Sequence, residues 1–163
     1  MDTAMLRERG RLRRWELALL VGVAAALLAG VWLDREQAAL SDKVIRLHVI
    51  ANSDTEADQA LKLRVRDRIL EEAAGYFQAG QTVEEAAAEL TEYLPALAEA
   101  GAQVVREAGY DYPVRVELED TQFPTKEYDG FTLPAGEYLA LRVLIGEAKG
   151  QNWWRVVFPP LCT

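Results

Sequence analysis

The sequence has one cysteine and one histidine among its 163 residues, and this scarcity excludes several kinds of site. A single cysteine cannot form an intrachain disulfide, and no Cys-x-x-Cys or Glu-x-x-His pattern supplies the ligands of a tetrahedral zinc site. Phosphate-binding loops of the GxxxxGK[ST] and GxGxxG types are also missing. The sequence therefore predicts no metal site and no bound cofactor.

Basic residues are few in the main part of the chain. Residues 1–33 contain five Lys and Arg against three Asp and Glu, so residues 34–163 contain 13 against 23 and carry a net charge of -10. A nucleic-acid site needs clustered basic side chains that release counterions from the phosphates. We therefore expect no nucleic acid among the partners of this acidic protein. Its content of 50% hydrophobic residues is typical of a folded globular domain.

The chain has one long apolar segment, close to its N-terminus. Residues 17–33, LALLVGVAAALLAGVWL, contain no charge, follow five arginines and have Trp15 and Trp32 near their two ends. A bilayer core needs about 20 apolar residues as a helix, and a basic flank stays on the cytoplasmic side. We therefore expect residues 15–33 to enter the membrane and the body, from Asp34 onward, to lie outside the cytoplasm.

The apolar segment fits a cleaved signal peptide and an uncleaved signal anchor equally well. It is slightly longer than an ordinary signal-peptide core, and the nearest small residues, Gly30 and Ala39, have Leu28 and Gln37 at the -3 position of a cleavage site. The predicted organisation is a signal peptide or signal anchor over 1–33, a linker over 34–42 and a single domain over 43–163.

Three helices are predicted in the first part of this domain. Ser53 with Glu56, and Thr82 with Glu85, have the spacing of capping boxes. The first box predicts a helix over 54–78, and the second predicts a helix that ends before Pro95. Proline suits the first turn of a third helix, which Gly109 would end.

Strands are predicted on both sides of the helices. KVIRLHVIA, residues 43–51, is rich in β-branched residues and indicates a largely buried strand. YPVRVELE alternates apolar and polar residues, while 137–146 and 152–158 are apolar runs separated by EAKGQ, an arrangement typical of a β-hairpin. The predicted fold is α+β, with a mainly antiparallel sheet and about three helices on one face.

The best candidates for chemistry lie around the end of the first predicted strand. His48 is the only histidine, and Asn52, Ser53 and Asp54 follow it. A serine and an aspartate near a histidine are the residue types of a hydrolase, so a cell-envelope hydrolase built on His48, Ser53 and Asp54 is one hypothesis. Helix capping explains Ser53 without catalysis, and a packed core histidine explains His48.

The adjacent tryptophans, Trp153 and Trp154, are the other notable feature. On a strand they must point to opposite faces, so we expect one to enter the core and the other to meet solvent or a neighbouring segment. An exposed tryptophan is a favoured anchor at protein interfaces because it contributes large contact area at a small cost in entropy.

Several blocks of the body resemble the stage II sporulation protein R family of endospore-forming bacteria. The resemblance extends over KVIRLHVIANSDTEADQALKLRVRD, YDYPVRVELE and FPTKEYDGFTLPAGEYLALRVLIGEAKGQNWWRVVFPPLCT, with HVIANSD, LPAGEY and GQNWW followed by VFPPLC as its most specific parts. It covers nearly all of residues 43–163 except the second and third predicted helices. The family pattern has a cysteine where this chain has Arg155, so a disulfide from that position to Cys162 is excluded here.

The resemblance implies an exported signalling protein that is not itself an enzyme. Family members are made in the forespore and exported into the space between its two surrounding membranes. There they activate a membrane-embedded aspartic protease that cleaves the precursor of sigma-E. A scaffold whose anchor only tethers an assembly is a further hypothesis.

A signalling ligand needs a surface that its receptor recognises. We predict that this surface combines the end of the first strand with the loop that begins FPTK and with the paired tryptophans. The predicted partner-binding residues are His48, Asn52, Ser53, Asp54, Phe123, Pro124, Thr125, Lys126, Trp153 and Trp154.

Overall fold

The computed structural model describes residues 3–128 and 130–159 and divides the chain into two compact units, 1–39 and 40–163. Helix α1, Thr3–Ser41, forms nearly all of the first unit. Within it, Arg13–Leu33 is long and apolar enough to cross a membrane, with a mean hydropathy of 2.2. The predicted N-terminal apolar helix is therefore confirmed.

The second unit is built on a four-stranded sheet in the order β2-β5-β1-β6. Its strands are β1 (Ile45–Ile50), β2 (Val114–Phe123), β5 (Gly136–Ile145) and β6 (Asn152–Phe158). β1 runs parallel to β5, and the pairs β1–β6 and β2–β5 are antiparallel. A shorter ribbon pairs β3 (Lys126–Tyr128) with β4 (Phe131–Leu133) in the segment expected to be mostly loop.

The predicted hairpin between the last two strands is wrong. β1 lies between β5 and β6, so these two strands are neighbours in sequence but not in the sheet. All six residues of β1 are buried, and a strand that is buried on both faces fits the middle of a sheet better than an edge. The connection from β5 to β6 crosses the end of β1, where the Gly150 N–H donates to the Ala51 carbonyl at 2.9 Å.

Helix α2, Glu56–Ala74, begins two residues later than predicted. Its N-cap is Thr55, whose hydroxyl accepts from the Asp58 N–H at 3.2 Å, so the predicted cap at Ser53 is wrong. Ser53 instead donates to the Asp58 carboxylate at 2.5 Å. Apolar residues recur every four positions in this segment, and Leu61, Val65, Ile69 and Ala73 are buried, while Phe77 lies beyond the end of the helix and is partly buried.

Helix α3, Val83–Glu107, is continuous through Pro95. The capping box of Thr82 and Glu85 is present as predicted, but the predicted break at Pro95 is not. Proline removes one backbone donor, and the carbonyl that loses its partner is that of Thr91, which is exposed to water together with Pro95. Leu90 and Leu97 are buried on either side and hold both halves of the helix on the same core.

The main core lies between α2, α3 and one face of the sheet. β1 contributes Ile45, Leu47 and Val49, and β5 contributes Leu141, Val143 and Ile145. At Gly101 the backbone of α3 approaches β2 so closely that an added Cβ would lie 2.9 Å from Val114 Cγ1. With three helices and a mainly antiparallel sheet, the α+β fold class is confirmed.

Candidate functional site

The face of the sheet opposite α2 and α3 carries an unusual set of side chains. Alternation along β1 directs Ile45, Leu47 and Val49 into the main core, so Arg46 and His48 lie on the other face. Both are buried, with exposures of 0% for Arg46 and 7% for His48. Buried basic residues are rare unless they are paired, so this face requires a closer description.

The register of the strands aligns four of these side chains in a row. Glu117 of β2 lies opposite Arg142 of β5, Arg142 lies opposite His48 of β1, and His48 lies opposite Trp154 of β6. Arg142 forms ion pairs with Glu117, at 3.8 Å, and with Glu119. One end of the row therefore contains the ion-paired Arg142, and the other end contains the ring of Trp154 on the edge strand β6.

Phe123, at the end of β2, lies at the centre of this group. Its ring centroid is 5.9 Å from that of His48, 6.4 Å from that of Trp154 and 5.9 Å from that of Tyr138. The guanidinium carbon of Arg46 lies 4.0 Å from the same centroid. Phe123 is itself buried and so covers Arg46 and His48.

Arg46 has little polar compensation for its burial. Its Nη2 donates to the Tyr128 hydroxyl at 3.1 Å, and its guanidinium carbon lies 4.8 Å from the centroid of Tyr138. Its Nε and Nη1 have no hydrogen-bond partner in the described part of the chain, and none of the ion pairs found there involves Arg46.

His48 is held in a neutral state by its surroundings. Burial lowers the pKa of its imidazole, the nearby Asn152 side chain raises it, and the positive charge of Arg142 lowers it, with a net decrease from 6.5. The Asn152 contact is too poorly aligned to count as a hydrogen bond, because both ring nitrogens lack a partner by geometry. The hypothesis that His48 is a packed core histidine agrees with its burial, but neither ring nitrogen forms a hydrogen bond to the backbone among the described residues.

The end of β1 is occupied by internal hydrogen bonds. Asn52 donates to the Asp58 carboxylate at 2.8 Å and accepts from the Glu147 N–H at 2.9 Å. Asp54 accepts from the Gln151 N–H at 2.7 Å. Asn52, Ser53 and Asp54 therefore join β1, α2 and the β5–β6 connection.

Two buried charged groups of α2 complete this junction. Burial raises the pKa of the Asp58 carboxyl, but the hydrogen bonds that it accepts from Ser53 and Asn52 lower this pKa by more. The net effect is a pKa below the ordinary value. Lys62 donates to the Gln151 carbonyl at 3.0 Å, and burial lowers its pKa. The polar groups that a hydrolase would use are engaged in holding the fold.

The structure does not assemble His48, Ser53 and Asp54 into a catalytic arrangement. Ser53 and Asp54 bond to Asp58 and Gln151, whereas the ring nitrogens of His48 have no hydrogen-bond partner among the described residues. The pairing of nucleophile and base that acyl transfer requires is therefore not formed.

Four other predicted residues occupy or border the sheet face around Arg46. Phe123 and Trp154 lie on it, and the Lys126 ammonium lies 5.2 Å from a ring centroid of Trp154. Pro124 is exposed in the loop that follows Phe123. We call the surface formed by His48, Phe123, Lys126 and Trp154 the Trp154 face, and Pro124 borders it.

The remaining predictions separate from the Trp154 face. Trp153 points to the opposite side of β6, where it packs against the main core and lies 4.7 Å from the guanidinium carbon of Arg66. Thr125 is exposed, and its hydroxyl accepts from the Ala135 N–H at 3.0 Å. The expectation that the two tryptophans face opposite sides therefore agrees with the structure. Cys162 lies outside the described residues.

Sequence reasoning missed Arg46, Arg142, Tyr128 and Tyr138, which lie next to the Trp154 face or contact its neighbours. One signal was present: in KVIRLHVIA, Arg46 and His48 are two positions apart and share a strand face. A strand with apolar residues on one face and Arg and His on the other predicts a second, polar environment below the sheet.

Comparisons with known proteins assign the chain to one family. The family described as stage II sporulation protein R matches residues 41–163. The protein named "Stage II sporulation protein R" from Bacillus subtilis (strain 168) is 34% identical over 129 residues, which cover 79% of this chain and 58% of that relative. The match thus spans little more than half of the relative's length. No solved structure matches the chain.

Proposed function

The chain belongs to the stage II sporulation protein R family, and we propose on that basis that it is an exported signalling protein of sporulation. In this proposal it reaches the space between the forespore and mother-cell membranes. There it activates a membrane-embedded aspartic protease that processes the precursor of sigma-E. The protein acts by being recognised and does not itself cut.

The apolar helix supports export. Arg13–Leu33 has the length and hydropathy of a membrane span, and it follows a basic segment that favours the cytoplasm. An acidic body behind such a segment suits delivery to the far side of the membrane. Residues 15–33 then act as a signal peptide or, if they are not cleaved, as an anchor.

The main support for a recognition surface is the contact between Lys126 and Trp154. A cation lies 5.2 Å from a half-buried indole, on a sheet face that α2 and α3 leave free. Tryptophan is enriched among the central residues that dominate binding at interfaces, and a cation beside it attracts an acidic partner. We propose the Trp154 face as the surface that the protease recognises.

Processing of the sigma-E precursor in sporulating cells tests the function and the surface together. Trp154→Ala should reduce processing at least tenfold while protein levels stay normal. Leu63→Ala, an exposed apolar residue of α2, is the matched control and should leave processing unchanged. Normal processing by the Trp154 variant would remove this face from the proposal, and normal processing in cells that lack the protein would overturn the function.

A further inference from the structure

Every buried side-chain nitrogen or oxygen that lacks a hydrogen-bond partner in the described ranges belongs to one face of the sheet. The six atoms are Nε and Nη1 of Arg46, Nδ1 and Nε2 of His48, Nε of Arg142 and Nε1 of Trp154. Arg142, His48 and Trp154 are neighbours in one register row, and Arg46 lies two residues from His48 on β1. Buried polar groups are nearly always paired, so such a concentration in one place requires an explanation.

The chemistry of these atoms defines what would satisfy them. Both arginines and the indole only donate hydrogen bonds, and a neutral histidine donates one and accepts one. Arg142 already has the carboxylates of Glu117 and Glu119 as partners, whereas no carboxylate among residues 3–128 and 130–159 pairs with Arg46. The missing group is therefore an acceptor with a negative charge.

Arg46 is the strongest argument for an anion. Its side chain is fully buried and carries a positive charge on its guanidinium group. Removing a charge from water without a counter-ion is unfavourable, and the rings of Phe123 and Tyr138 offset only part of this cost. A carboxylate beside the guanidinium would supply the rest through charge-assisted hydrogen bonds.

We propose that Arg46, His48 and Trp154 form a carboxylate-binding site for an aspartate or glutamate side chain of a partner protein, and that Phe123 covers this site when it is empty. The inference rests on the proposed function, because it specifies the chemistry by which the partner is recognised. The Phe123 ring lies against all three residues, at the last position of β2 and directly before the exposed residues Pro124 and Thr125.

The surroundings favour a side-chain carboxylate over a free inorganic anion. The walls of the site are the rings of Phe123, Tyr138 and Trp154, which suit the methylene groups of an acidic side chain. Phosphate would have to lose a larger hydration shell in an aromatic environment. Lys126, beside Trp154, adds a cation near the mouth of the site that attracts an acidic segment.

A pair of matched ligands tests the site on the full-length protein in detergent micelles. N-acetylglutamate N-methylamide carries the carboxylate, and N-acetylglutamine N-methylamide has nearly the same shape without the charge. The readout is the indole N–H resonance of Trp154 in protein labelled with ¹⁵N-tryptophan, assigned by its loss in Trp154→Phe. We expect a saturable shift with the glutamate compound and at least tenfold weaker binding of the glutamine compound.

Variants connect the binding to the named residues. Arg46→Met should weaken binding of the glutamate compound at least tenfold, whereas Arg64→Met, at an exposed position of α2, should not change it. Phe123→Leu should strengthen binding severalfold, because the smaller side chain covers the empty site less well. An unchanged indole resonance of Trp153 would show that Arg46→Met folds normally. If this variant folds poorly, the stronger binding expected for Phe123→Leu still tests the inference.

Each result supports or overturns a defined part of the inference. Equal shifts with the two compounds, or none with either, would overturn the carboxylate site. Binding of inorganic phosphate as tight as that of the glutamate compound would overturn a protein side chain as the occupant. The binding experiment contains no protease, so its result does not depend on processing in cells. A protein that binds the glutamate compound but does not support processing would overturn only the proposed function.

Discussion

Gly150 lies so close to the backbone of Ser53 that a Cβ on Gly150 would collide with the Ser53 carbonyl group. The same glycine donates its N–H to the Ala51 carbonyl at 2.9 Å. The connection between β5 and β6 therefore passes over the end of β1 with no space for a side chain. Two sequence blocks that lie about a hundred residues apart, ANSD and GQNWW, are joined at this point.

We predict that Gly150→Ala destabilises the domain by about 1–3 kcal/mol, the usual cost of forcing extra atoms into a packed site. The measurement is the free energy of unfolding in denaturant. Gly75→Ala is the control, because Gly75 has a helical φ of -71° and a substitution there should change stability by less than about 1 kcal/mol. Equal effects of the two substitutions would contradict the close approach at Gly150.

Stability should decrease as the pH falls below 6.5, through the single histidine. Burial lowers the pKa of His48 in the folded protein, so the unfolded chain takes up a proton at a higher pH than the folded one does. The contribution is complete above pH 6.5 and is lost as the pH falls toward the lower folded pKa. At pH 5.5 the loss should reach up to about 1 kcal/mol relative to pH 7.5.

The pH prediction is checked with His48→Gln, which cannot titrate in this range. Unfolding free energies of both proteins at pH 7.5 and 5.5 give the comparison. The decrease should be smaller in the variant, and an identical decrease would show that other groups cause it.

Arg46 and Phe123 should be energetically coupled. The guanidinium carbon lies 4.0 Å from the ring centroid, and such a contact between buried groups contributes roughly 1–2 kcal/mol. Phe123→Leu should therefore cost less stability in an Arg46→Met background than in the natural protein. The double-mutant cycle gives the coupling directly, and a value near zero would show that Phe123 only fills space.

The apolar part of α1 should control membrane association. Leu27→Arg places a charge near the middle of Arg13–Leu33 and should disfavour insertion by about 3 kcal/mol. The protein fraction that stays in membranes after alkaline carbonate extraction should fall accordingly. Leu63→Arg makes the same exchange at an exposed position of α2 and should leave that fraction unchanged.

Local features of the fold could be predicted from the sequence because their causes are local. The buried strand around Leu47, the capping box at Thr82 and the apolar stripe of α2 all depend on residues a few positions apart. Pro95 was misleading because its penalty in a helix interior, about 3 kcal/mol, is offset by the burial of Leu90 and Leu97, which contributes about 1.5–3 kcal/mol for each side chain.

The strand order and the Trp154 face depend on distant contacts. Nothing near β1 shows that β5 and β6 will flank it, since Leu47 meets Leu141 and Arg155 only in the folded chain. The sequence-based prediction grouped His48, Phe123, Lys126 and Trp154, which lie together in the structure, and their role in binding a partner stays a prediction. The sequence could not distinguish these four residues from Asn52, whose side-chain amide is hydrogen-bonded to Asp58 and Glu147 within the fold.

The position of β1 between β5 and β6 has a consequence for how the molecule is made. Among these strands the ribosome produces β1 first and its two neighbours last, so β1 cannot be paired on both edges until residues 136–158 have been added. A stalled or prematurely terminated chain cannot complete the sheet or bring Trp154 beside His48. Translation must therefore reach the last strand before the protein has the surface that we propose its receptor reads, and incomplete copies stay silent.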